Sequence, residues 1–150
     1  MTRKKWSFLF TVCLVTALIG CGQKNSQVDK NNSEDLNFVL GCLYSQTIDL
    51  SDFRIWIEQV IENTPVEVIP SYIFDLVGFD GYLYEVSKII GFVPDEYLSN
   101  DEKNALYGIS FLRGVHVYDS PISKDESLKL LELNSSILEN FKRLFPFINL

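Results

Sequence analysis

The chain has 150 residues, 47% of them hydrophobic and 13% aromatic, and its 20 acidic residues outweigh 13 basic ones for a formal charge of −7. That length suits one domain, and that apolar content is too high for a disordered chain. Three of the bases, Arg3, Lys4 and Lys5, precede the first hydrophobic run; without them 20 acids face 10 bases, a balance that repels phosphate backbones and argues against nucleic-acid binding.

The first segment opens on a basic stretch, residues 1–5, followed by an apolar run from Trp6 to Ile19. This run is shorter than the roughly 20 residues that a bilayer crossing needs. A basic flank, a short apolar run and a small-residue exit together match a secretory signal. Leu18-Ile19-Gly20-Cys21 resembles the lipobox of bacterial lipoproteins: an aliphatic residue, a tolerant position, a small residue, then cysteine. The resemblance implies cleavage between Gly20 and Cys21 and a diacylglyceryl thioether on the Cys21 sulfur. The freed amine would take a further acyl chain such as palmitate. Two or more such chains hold a protein stably to a membrane, whereas one does not. In the family's sorting rule an aspartate after the cysteine favours the inner membrane. Gly22 therefore implies the outer one, where the host has one.

The expected organisation is a signal peptide over 1–20, a lipidated cysteine with a flexible tether over 21–33, and a single helical domain over 34–150. The tether has one aliphatic residue, Val28, among Asn, Ser, Gln and Lys, a composition that favours solvated coil. Of the three cysteines, Cys13 leaves with the signal and Cys21 carries lipid. Cys42 then has no intramolecular disulfide partner, and its apolar neighbours predict a buried, inert thiol.

Helical spacing recurs along the rest of the chain. Leu36, Val39, Leu40 and Leu43 share one face. Ser51 is the expected cap of a helix burying Phe53, Trp56, Ile57, Val60 and Ile61. Pro70 suits the first turn of a short helix through Leu76. Asp80 reads as the cap of a stripe at Leu83, Val86, Ile89 and Ile90, which closes at Gly91 before Pro94. Ser99-x-x-Glu102 and Ser123-x-x-Glu126 are capping boxes. The first opens a run through Ala105, Ile109 and Leu112, which Gly108 and Gly114 weaken. Residues 115–119, "VHVYD", read as the end of that helix or as a short strand. The last run, Leu128 to Phe145, is expected to break at 134–136 and to stop at Pro146. The fold class is all-α, a compact bundle of about five to seven short helices, with room for one short strand pair; α+β is the alternative.

The chemistry is sparse. A single histidine and the lack of a Cys-x-x-Cys pair argue against a zinc site, and no metal or other cofactor is expected. No nucleophile elbow, phosphate-cradling loop or dinucleotide fingerprint occurs. His116 with Asp119 has the makings of a general base, but helical spacing aligns it with core positions. Asp75, Asp80 and Glu85, among aromatics in "FDLVGFDGYLYE", form the best carboxylate cluster for a glycosidase-like role. Asp95, Glu96, Asp101 and Glu102 form an acidic run suited to a basic partner, or simply to a solvated helix N-terminus.

The expected function is therefore a lipid-anchored, non-enzymatic, protein-binding module of the bacterial cell envelope. In size, charge and helical build, and in the stretches "ALYGISF" (105–111) and "FKRLFPFI" (141–148), the mature domain loosely resembles small acidic immunity proteins of bacterial toxin systems. That resemblance implies a basic toxin as partner. The alternatives are an envelope structural or assembly lipoprotein and a small cell-wall hydrolase.

Overall fold

A computed structural model of the chain describes residues 28, 33–93 and 98–150. Among the described residues seven α-helices follow one another: α1 (Glu34–Tyr44), α2 (Leu50–Asn63), α3 (Ser71–Val77), α4 (Val86–Ile90), α5 (Asn100–Leu112), α6 (Lys124–Leu133) and α7 (Ser135–Leu144). A 3-10 turn, Leu83–Glu85, leads into α4. The described residues contain no strand, so the fold is all-α, and the strand reading of 115–119 is corrected. The signal segment, Gly20, Cys21, most of the tether, and Asp95 and Glu96 lie outside the described residues.

The cores of the helices follow the apolar spacing. Leu36, Val39, Leu40 and Leu43 are buried on α1, and Phe53, Trp56, Ile57 and Val60 on α2. Trp56 is fully buried and stacks on Phe53 at 6.2 Å. Cys42 is fully buried too, and burial pushes its thiol pKa up, which keeps it protonated and inert. Val28 is fully buried in the same core, so the expected tether is fastened to the domain six residues before α1.

Local signals set most helix ends. Ser99 and Ser123 each accept from the backbone N–H three residues on, while Glu102 and Glu126 accept from the cap N–H. The cap of α2 is Asp49 rather than Ser51: its Oδ1 accepts from the Asp52 N–H at 2.8 Å. The stripe before Gly91 also starts differently from expectation. Glu85 accepts from the Tyr82 N–H at 3.0 Å, and Asp80 lies outside that cap. At Gly91 the chain leaves α4 with φ +80°. Asn134 separates α6 from α7, with its N–H and its side-chain amide both donating to the Leu130 carbonyl.

Gly108 has a different role from the weakening expected of it. A Cβ there would sit 2.7 Å from the Ser127 carbonyl oxygen and 3.1 Å from the Leu131 Cβ. The glycine is what lets α5 and α6 approach backbone to backbone. Gly114, at φ +70°, ends α5: its N–H donates to Phe111 O and the Val115 N–H donates to Ser110 O, a Schellman termination. The helix therefore stops at Leu112, and 115–119 is a link.

Three arginines fasten the bundle. Arg143 on α7 pairs with Asp35 on α1 through two contacts at 2.5 and 3.1 Å. Arg54 on α2 donates twice to the Phe79 carbonyl beyond α3, at 2.8 and 3.2 Å. Arg113 donates to Asp52 at 3.0 Å and to the Thr47 carbonyl. Thr47 is fully buried in the link between α1 and α2; its hydroxyl donates to Leu106 O at 3.0 Å and accepts from Ser110. Each clamp joins segments 25 or more residues apart, and none is signalled by local sequence.

Candidate functional site

The acidic run divides at α5. Asp101 is exposed in its first turn. The Glu102 carboxylate is engaged in the cap, accepting from the Ser99 N–H and Oγ at 2.8 Å each. His116 lies in the link after α5, exposed, with its ring edge-on to Tyr118 at 4.7 Å. That link is held by a two-way pairing in which the Gln46 side chain donates to Tyr118 O and accepts from the Tyr118 N–H, both at 3.1 Å. The Schellman end of α5 removes His116 from the helical line that suggested a core position.

Asp75, Asp80 and Glu85 do come together. With Lys88 they line an open depression of about 470 Å³ floored by Phe79 and Ile89. Gly81 closes one side, tight against the Glu85 carboxylate. Beside it Tyr82 and Tyr84 project into solvent, 72% and 64% exposed, with rings stacked at 5.6 Å and 11°. The Lys88 ammonium lies 5.4 Å from the centre of the Tyr84 ring, so this surface already receives a cation. A second cleft, of about 460 Å³, shares Gly81 with the first and is lined by Tyr82. Leu43, Ile48, Leu50 and Leu83 give it an apolar lining, and the Asp52–Arg113 pair closes one edge. Tyr44 borders this region and donates to Leu83 O at 3.3 Å; partial burial raises its phenol pKa.

A larger feature surrounds these hollows. Residues 34–87 contain ten acids and one base, Arg54; residues 88–150 contain nine acids and seven bases. Arg54 is turned onto Phe79 O. From Ile55 to Ser87 there is no Lys, Arg or His, against six acids. That signal is present in the sequence, in a stretch separate from the acidic run at 95–102. The same stretch carries Ile55, Val66, Val68, Phe74, Tyr82 and Tyr84 exposed, half of the large exposed apolar side chains among the described residues.

Among the described residues no group of three or more His, Cys, Asp or Glu side chains is placed to hold a metal ion. None of the described helices is long and apolar enough to cross a membrane. Comparison with protein-family models, with curated proteins and with solved structures finds no match.

Proposed function

We propose that the chain is a lipoprotein of the bacterial cell envelope, anchored through Cys21, whose helical domain is a non-enzymatic module that binds a basic protein. The observation that carries the anchoring is the order of features at the N-terminus: basic residues, a 14-residue apolar run, Leu18-Ile19-Gly20-Cys21, and an immediate turn to polar sequence. The protein-binding half rests on charge. Ten acids against one base over residues 34–87, of which Asp35 and Asp52 are paired with arginines from the rest of the domain, leave a net negative field that attracts a cationic partner, speeds its capture and weakens with salt. Immunity toward a basic toxin is the specific form of this reading that the domain's size, charge and helical build favour.

The test uses tagged full-length protein in its native host. Mass spectrometry is expected to find a mature chain beginning at a diacylated Cys21, and Cys21→Ser is expected to abolish processing and lipid attachment. An intact, unmodified N-terminus would overturn the anchoring. Loss of protection against a co-encoded toxin on deletion of this chain would support the immunity form, and full protection without the chain would remove it.

One observation favours a second reading, a cell-wall hydrolase: Asp75, Asp80 and Glu85 line a common depression beside two exposed tyrosines that suit stacking on sugar rings. Hydrolysis of purified peptidoglycan that is lost in Asp75→Asn/Asp80→Asn/Glu85→Gln, with the helical circular dichroism unchanged, would establish it. Absence of hydrolysis by the wild-type chain would dismiss it.

A further inference from the structure

The α2–α3 hairpin presents a face that nothing in the described chain covers. The two helices are joined by the short link 64–70 and held side by side, antiparallel, by the Arg54–Phe79 clamp. On α2 the exposed arc runs Ser51, Ile55, Glu58, Glu62, at helical spacings of four, three and four. The link adds Val66, Glu67 and Val68, all exposed, with Val66 at 64%; α3 adds Phe74 and Asp75. Apolar side chains thus alternate with carboxylates; Arg54, the one base of residues 34–87, is turned onto Phe79 O, and Lys88 reaches only the edge of the face, in the hollow beside Asp75. An apolar surface that is left open and ringed by one sign of charge is the composition of an interface.

We infer that this α2–α3 face is the docking surface for a partner protein whose own surface interleaves lysine or arginine with apolar side chains. The inference rests on the protein-binding reading above and names the surface and the chemistry. Charge selects this occupant over others. A second copy of the chain in a two-fold contact would set Glu58, Glu62 and Glu67 against themselves. An anionic lipid surface or a nucleic acid would be repelled. A basic partner gains on both counts: its cations meet unbalanced carboxylates, and its apolar groups cover Ile55, Val66 and Phe74.

The experiment places a photo-cross-linking benzoylphenylalanine at Val66 or Phe74 of the full chain in its native host. Leu112 and Leu133, exposed apolar positions on α5 and α6, serve as comparison sites. The cross-linked protein is then purified, and its affinity for the full chain is measured at low and high salt. The expected result is one protein joined at Val66 and Phe74 and not at Leu112 or Leu133. Its binding should weaken about tenfold or more in Glu58→Lys/Glu62→Lys/Glu67→Lys. The control, Asp125→Lys/Glu132→Lys/Glu139→Lys on α6 and α7, should change it by less than about twofold. These side chains are exposed, and a thermal melt checks that each triple variant folds.

A protein joined only at Leu112 or Leu133, or an affinity untouched by the α2–α3 reversal, would overturn the surface and leave the protein-binding reading standing. Cross-links from every position to lipid, glycan or the chain itself, with no other protein, would overturn both.

Discussion

The two halves of the domain share one core and treat charge in opposite ways. In residues 98–150 seven acids face six bases, two capping boxes hold glutamates in place, and the α5–α6 contact closes to backbone distance over Gly108. In residues 34–87 ten acids face one base, and much of the exposed apolar surface is found there. Self-repulsion among like charges works against a compact state. A fold that needed only stability would have distributed its lysines more evenly. The contrast teaches that charge balance differs between the halves although the core does not, and that Asp35 and Asp52 of the acidic half are matched by arginines from the other.

Four experiments break or sharpen that contrast. The largest effect is expected from truncating the shared core: Trp56→Ala in the acidic half and Phe141→Ala in the balanced half should each cost about 3–5 kcal/mol. Both residues are fully buried in one cluster. Chemical denaturation should show a single transition in both variants, and separate transitions for the two halves would refute the shared core. Gly108→Ala should cost about 1–3 kcal/mol, because its Cβ meets backbone at Ser127. Ala at an open helix position would be expected to stabilise instead, so a raised melting temperature would show that the helices do not touch there.

Surface charge should matter less, and unequally. Glu58→Lys with Glu62→Lys relieves repulsion and is expected to leave stability unchanged or raise it by up to about 0.5 kcal/mol. The matched pair Glu132→Lys with Glu139→Lys should give no gain; equal gains would erase the asymmetry. The smallest effect concerns pH. Hydrogen bonds from Ser123 lower the pKa of the exposed Glu126 carboxyl below 4.5. A group whose folded pKa is depressed stabilises above its unfolded pKa and loses that contribution as pH falls through the folded value. Ser123→Ala should therefore lower the melting temperature slightly at neutral pH, and the difference from wild type should narrow below about pH 4.5. A difference that stays constant down to pH 2 would remove the link to Glu126.

Val28 also changes how the anchor is pictured. With that residue in the core, the seven peptide steps from Cys21 limit the distance between Cys21, the proposed lipid site, and the folded domain to about 25 Å. The composition of the tether predicted solvated coil up to residue 33, since a lone valine among polar residues has no periodic pattern to mark it as core.

Much of this fold is legible one residue at a time. The 3, 4 spacing on α1, α2 and α7, the capping boxes at Ser99 and Ser123, and the turn at Gly91 depend on neighbours within a few positions. Local backbone geometry and side-chain hydrogen bonds suffice to set them. The apolar pattern likewise put Trp56 and Cys42 inside. The lipobox resemblance and the cation-free run from Ile55 to Ser87 are sequence facts as well.

Tertiary structure decided the rest, because those features depend on residues far apart in the chain. Whether Gly108 weakens a helix or admits a neighbour depends on Ser127, which lies on α6. The buried Thr47 is satisfied across the fold by Leu106 and Ser110 of α5 and by Arg113 just beyond it, besides its local partner Ser45. The same holds for function. Sequence assigned the acids and the local cap of Glu102; packing determined that Asp75 and Asp80 share a hollow with Glu85 and that Arg54 turns onto Phe79. A charge count sums over all side chains, but a surface retains only those that the fold leaves unpaired.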